Sequence, residues 1–411
     1  MDFQTRLARL ADVCVTVGVN VQQGQELIVS APIDASELVR YVARSAYHRG
    51  ATLVTCLYDD PRLIYDRFQY ADDLSLDYAP EWVYGRVADA LANGAARLYV
   101  AGPYPDLLSG IAPDKIVRVH RALALASSAE SALTSASRIN WSTIPFVTTS
   151  WAKQVFPKLT DEEASHALWD ALFDVTRVND PDPSQAWAAH NQALNARRES
   201  LQDRRFAALR FFDGRTDLTV GLVEGHRWIG GTVVAANGVE GTCNIPTEEV
   251  FTCPHSARTQ GHVYFSRPLA LAGTLVENLY VEFRDVRVTS VKADTGLDTF
   301  EALIKSDDGA CRLGEVGLVP NSSRVASTGI LFYSALFDEN AASHLAFGQS
   351  YAACVTSASG SGDSPSSGEA EGANRSSIHI DCMCGHPSMS VDGISHEGHA
   401  TPVMRGGEFV L

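Results

Sequence analysis

What this 411-residue chain lacks narrows its function before any motif is considered. No stretch approaches the ~18 consecutive apolar residues of a membrane helix, so no membrane partner is expected. Basic residues are scarce: 33 Lys and Arg stand against 49 Asp and Glu, a formal charge of −16. A surface this acidic argues against nucleic acid as a partner, because phosphate binding needs a basic face. The Gly-rich phosphate fingerprint of a dinucleotide-binding domain is missing after every early apolar run. Cysteine offers no metal knuckle. The eight thiols, Cys14, Cys56, Cys243, Cys253, Cys311, Cys354, Cys382 and Cys384, are scattered, and Cys382-Met-Cys384 has a one-residue gap. They are expected to be reduced in a chain of cytoplasmic location. Met1-Asp-Phe-Gln-Thr-Arg6 shows no charged, apolar, small-residue pattern of a secretory signal.

What is present reads as an ordinary globular protein, 45% hydrophobic and 20% charged, long enough for two sizeable cores. Glu26-Leu-Ile-Val-Ser30, Ala51-Thr-Leu-Val-Thr-Cys-Leu57 and Ala96-Arg-Leu-Tyr-Val-Ala101 are apolar runs. Between them lie helical periodicities that stop at Gly50 and Gly94. Helix, glycine, buried strand, repeated, predicts an α/β N-terminal domain with a mostly parallel sheet over residues 1–180. Residues 161–202 read as helical, interrupted near Asp180-Pro-Asp-Pro183. From Ala207 onward strand signals dominate, including two strands around the Asp213-Gly214 turn and the alternating Asn278-Leu-Tyr-Val-Glu-Phe283. Residues 181–411 are therefore expected to form a β-rich α+β domain. Within it, the Ser/Gly-rich 357–377 has almost nothing to bury and is expected to be a mobile loop.

The chemistry-bearing residues lie in the last third. They are Glu249 in Asn244-Ile-Pro-Thr-Glu-Glu-Val-Phe-Thr252, Glu315 in Arg312-Leu-Gly-Glu-Val-Gly317, His344 in Ala342-Ser-His-Leu-Ala346, and the His379-Ile-Asp381 pair. Carboxylates and imidazoles in this mix suit zinc, manganese or cobalt, and suit hydrolysis by activated water better than a structural zinc site. As a strand, Ser377-Ile-His-Ile-Asp-Cys-Met383 projects His379 and Asp381 to one face, about 7 Å apart. The same pattern also describes a surface strand with two polar residues facing water. Either Glu248 or Glu249 can face a site, but not both. Glu315, between Gly314 and Gly317, sits where the backbone can turn tightly or approach a ligand. Glu339, five residues before His344, can reach the same site through the connecting turn. Tyr351 is a phenol that can donate to a developing oxyanion, or an ordinary half-buried aromatic.

The blocks Asn244–Thr252, Gly314-Glu315-Val316-Gly317, Asp338–Gly348 and Ser377–Asp381 with Asp392-Gly393 resemble the thermophilic-type metallo-aminopeptidases, the aminopeptidase T/S family (peptidase family M29). So do Val17-Gly-Val-Asn-Val-Gln-Gln-Gly24, Ser30-Ala-Pro-Ile33 and Trp151-Ala-Lys-Gln-Val-Phe-Pro157, in order across nearly the whole chain. The resemblance implies an exopeptidase with two divalent metal ions that releases N-terminal residues from peptides with a free N-terminus. It also implies an α/β N-terminal domain, a catalytic C-terminal domain and a homodimer. Carried over by position, the metal ligands would be Glu249, Glu315, His344, His379 and Asp381, with Glu339 as a sixth. Tyr351 would be the catalytic tyrosine, and Glu315, or the unliganded neighbour Glu248, a carboxylate able to handle the proton. Two other readings remain: a metallohydrolase of non-peptide amides, and a non-catalytic relative that only binds peptides. The Ser/Gly-rich stretch departs from the family pattern.

Overall fold

The computed structural model describes residues 1–411 except 106, 109, 272–273, 285 and 356–371. The described chain forms two compact units, one of Met1–Ala189 with Thr232–Ile245, the other of His190–Gly231 with Pro246–Leu411.

The first unit is built on a four-stranded, wholly parallel sheet in the order Leu53–Asp59, Glu26–Pro32, Ala96–Ala101, Trp141–Pro145. Its helices arise where apolar residues recur at helical spacing. Ser36–His48 buries Leu38, Val39, Val42 and Ala46 on one stripe, and the chain turns out of it at Gly50, whose φ is +90°. Helix Asp161–Val175 starts at a reciprocal cap in which Thr160 and Glu163 satisfy each other's backbone N–H. The expected break at Pro181-Asp-Pro183 is real: a new helix runs over Pro183–Arg204.

The second unit is antiparallel. An eight-stranded sheet runs in the order Arg287–Lys292, Tyr280–Arg284, Pro254–Tyr264, Asp217–Leu222, Ala208–Phe212, Ser390–Ile394, Ala400–Arg405, Glu408–Phe409. The predicted Asp213-Gly214 hairpin joins Ala208–Phe212 to Asp217–Leu222, with Gly214 at φ +97°. A five-stranded sheet runs in the order His379–Met383, His344–Gly348, Leu313–Leu318, Val250–Thr252, Ile229–Gly230. The two sheets share one core. Phe211, Val220 and Phe283 from the larger meet Val316, Leu345 and Phe347 from the smaller, and the rings of Phe283 and Phe347 stack 5.9 Å apart. Strand alternation then fixes the other face of the smaller sheet. If Val316, Leu345, Phe347 and Ile380 point to the core, Glu315, His344, His379 and Asp381 must point away from it.

Most of the stretch expected to be a mobile loop lies outside the described residues. Its last part, 372–377, is tied down. Asn374 Nδ2 donates to the carbonyls of Gly309 and Gly348, and the Ser376 and Ser377 hydroxyls donate to Asp307 Oδ2 at 3.0 and 2.7 Å. Small polar residues have little to bury, but they hydrogen-bond readily to backbone and carboxylate, and here that decides.

Candidate metal centre

The antiparallel register sets the site. Glu315 pairs with Ala346, which pairs with Asp381, while Gly317 pairs with His344 and Gly348 with His379. Each large ligand-type side chain thus has a small neighbour across the ladder. Ala346 leaves room between the two carboxylates. Gly317 leaves room for the His344 ring, since a Cβ there would lie 2.2 Å from Cε1 and Nε2. The glycines around Glu315 therefore do not make a turn. Glu315 lies inside a fully buried strand, and Gly317 serves the packing of the imidazole.

Two three-residue groups come together, Glu249, Glu315 and His344, and Glu315, His379 and Asp381, each with ligand atoms within 4.8 Å of one another. Glu315 divides its oxygens between them. Its Oε1 is 3.4 Å from His344 Nε2, which is also 3.2 Å from Glu249 Oε2. Its Oε2 is 3.4 Å from His379 Nε2, which is also 3.4 Å from Asp381 Oδ1. The far ring nitrogens are committed elsewhere. His344 Nδ1 lies 3.2 Å from the Ala342 carbonyl oxygen, and His379 Nδ1 lies 2.7 Å from that of Gln349. A carbonyl only accepts, so each Nδ1 carries the hydrogen and a neutral ring presents its Nε2 lone pair.

Lone pairs facing carboxylates repel unless a cation lies between them. The electrostatics show the same demand. Burial alone would drive His344 and His379 neutral, yet Glu249 and Glu315 carry His344 well above the usual imidazole range. Asp381 and Glu315 carry His379 up to about 11. Burial raises Glu249, against the pull of His344, and Glu249 Oε2 has no well-formed hydrogen bond despite being buried. Burial works against Asp381 ionising too, but His379 and His344 hold it below the usual carboxylate range. An orphaned buried carboxylate oxygen and two aimed imidazole lone pairs fit a divalent cation, and the oxygen and nitrogen donor set suits zinc, cobalt or manganese.

The remaining expected residues take different places. Glu248 is 3% exposed and turns its Oε2 to 3.7 Å from His190 Nε2, while its backbone N–H donates to Asn340 Oδ1 at 2.6 Å. Glu339 stands outside both three-residue groups, on a short 3-10 turn over Glu339–Ala341. Burial, then the negative fields of Glu249 and Asp381, raise its pKa well above the usual range, so it is close to the centre. The Tyr351 ring packs 4.9 Å from the His379 ring, while the residue keeps 47% of its surface exposed. Desolvation of its phenol, then Glu315 and Asp381, push its pKa up. The backbone carbonyls of Ala342 and Gln349 have no side-chain signature. Asn340 is fully buried and ties the Glu248 backbone to the Glu339 turn, with Nδ2 donating to the Leu336 carbonyl at 2.9 Å. Its only sequence trace is a polar residue beside Glu339.

A buried cluster of carboxylates and imidazoles on an antiparallel sheet, oriented by backbone carbonyls, defines a metal-using protein. Comparisons with known proteins make the class specific. The model of the thermophilic metalloproteases (M29) matches residues 3–409. Aminopeptidase T of Thermus thermophilus is 44% identical over 412 residues, covering 100% of this chain and 99% of that protein. Aminopeptidase AmpS of Bacillus subtilis is 37% identical over 409 residues, with 100% and 99% covered. The solved structure of wild-type AmpT from Thermus thermophilus superposes with a TM-score of 0.92 at 43% identity, over 100% of both chains. The chain belongs to the peptidase M29 family.

Proposed function

We propose that this chain is a metal-dependent aminopeptidase that releases N-terminal residues from peptides, using two divalent ions, zinc, cobalt or manganese. The observation that carries the reading is the division of Glu315 between two groups of ligand atoms. When bound, the ions supply Lewis-acid chemistry, activating water near neutral pH and polarising the peptide carbonyl. Glu249 and His344 hold one side, His379 and Asp381 the other, and Glu315 joins them. Glu339 is the sixth position, supported by its place in the lining of the same cleft as His379 and Asp381. Glu315, as the carboxylate shared by the ions, would take up the proton released by the attacking water. Tyr351, next to His379, donates its phenol hydrogen to the developing oxyanion. In this reading residues 181–411 are the catalytic domain and residues 1–180 the α/β domain. The protein acts in the cytoplasm and as a homodimer, the latter being what the resemblance implies. The test is hydrolysis of amino-acid p-nitroanilides with and without chelator, beside their N-acetylated forms. Loss with chelator, restoration by added ion and rejection of the acetylated substrates are expected. Equal cleavage of blocked and unblocked substrates defeats the reading.

A further inference from the structure

A cleft of about 150 Å³ lies at the candidate centre, and its lining combines two kinds of chemistry: Glu339, His379 and Asp381 with Leu269, Leu271, Tyr333 and Ala335. We infer that this cleft receives the first residue of the substrate, and that the enzyme selects unblocked peptides beginning with an aliphatic or single-ring aromatic side chain. The inference rests on the aminopeptidase reading and names the substrate class of that same site.

Size argues for one side chain. A cavity of roughly 150 Å³ holds a benzene-sized group. It falls short of the ~300–1,000 Å³ of sites that enclose drug-sized ligands. Chemistry argues for its type. The carboxylates of the lining complement an α-ammonium group, and its leucines, Tyr333 and Ala335 offer apolar surface. Asp338 also lines the cleft, but its two oxygens accept the backbone N–H of Phe332 at 2.8 Å and of Ser334 at 3.0 Å. It is committed to the backbone and offers no counter-charge to a basic side chain.

The apolar wall is also held in an unusual conformation. Tyr333 has φ +54°, a left-handed backbone rare for a bulky residue. Such strain persists only where the surroundings over-determine it, and it gathers at ligand-binding places. Here the buried Asp338 grips the residues on both sides of Tyr333, and the outcome is a tyrosine on the cleft wall. Leu269 and Leu271, also in the lining, flank an exposed Ala270 on a short strand and pack partly against the core of the unit.

The experiment measures kcat/KM on zinc-loaded protein for the p-nitroanilides of Gly, Leu, Phe, Trp and Lys. Wild type should favour Leu and Phe over Gly by about 10- to 100-fold, the range expected when an apolar pocket is filled or left empty. Trp, too large, and Lys, unpaired, should fall below Leu. Ala335→Trp, which narrows the cleft, should cut the Leu:Gly ratio about tenfold. Tyr333→Ala, which widens it, should raise the Trp:Leu ratio. Each ratio is internal to one protein, so a reduced folded fraction does not move it. Ratios unmoved in both variants, or Lys as the best substrate, overturn the cleft assignment while leaving the aminopeptidase reading intact. Wild type that cleaves no unblocked substrate with zinc, cobalt or manganese overturns both.

Discussion

Gly317 decides where the imidazole of His344 can lie. Any Cβ at that position would stand 2.2 Å from the ring, deep in a strand with no slack. Gly317→Ala is therefore expected to cost ~1–3 kcal/mol by over-packing and, more tellingly, to displace His344. Bound metal per chain, measured by elemental analysis, should fall together with kcat/KM. Retention of wild-type metal content would show that the ring relocates without consequence. His379→Ala and Asp381→Ala act on the centre directly. Each should abolish turnover at matched metal concentration while the melting temperature falls no further than chelator lowers that of wild type, since both residues point away from the shared core. At this scale the sequence was informative about side chains and silent about backbone. Acids and imidazoles are visible as letters. The Ala342 and Gln349 carbonyls that choose the tautomer of both histidines are not, because a carbonyl belongs to every residue. Glu248 and Glu249 were indistinguishable by pattern, and only coordinates show Glu248 turned toward His190.

Among elements, the segment leading into the His379–Met383 strand depends on a single acid. Asp307 accepts from the backbone of Gly309 and Ala310 through Oδ1, and from Ser376 and Ser377 through Oδ2. Desolvation would raise its pKa, but the hydrogen bonds from Ser377, Ser376 and Gly309 prevail and hold the carboxyl down at about 2. A lowered carboxyl pKa gives stability that is fully present above the ordinary value of 3.8 and is lost as pH falls toward about 2. The difference in stability between wild type and Asp307→Ala, followed by denaturant unfolding at stepped pH, should be constant at neutral pH and vanish across that window. A difference that persists below it would mean that the carboxylate charge plays no part. Element type was largely legible. The parallel strands of the first unit and the Asp213-Gly214 hairpin carry strong local patterns. The register was not, because a ladder pairing such as Glu315 with Ala346 with Asp381 depends on residues far apart in the chain.

For the whole molecule, the acids gathered around the centre predict a stability that depends on metal. Removing the ions with chelator should abolish hydrolysis and lower the melting temperature, because a cation that binds only the folded chain stabilises it by mass action. Adding back zinc, cobalt or manganese one at a time should restore both and rank the ions. An unchanged melting temperature would place the ions' role in chemistry alone. The return of Thr232–Ile245 to the first unit had no sequence signal, since periodicity reports what an element is and not which core receives it. The five-stranded sheet has one more consequence. Its neighbours from Val250–Thr252 through Leu313–Leu318 and His344–Gly348 to His379–Met383 follow the order of synthesis, and the last is an edge strand. At ~5–20 residues per second, Glu249 and Asp381 leave the ribosome on the order of ten seconds apart. Until then the nascent chain holds one group of candidate ligands and only Glu315 of the other, so a ribosome carries no working peptidase beside its own unfinished product, and the centre is completed only with the last strand of this sheet.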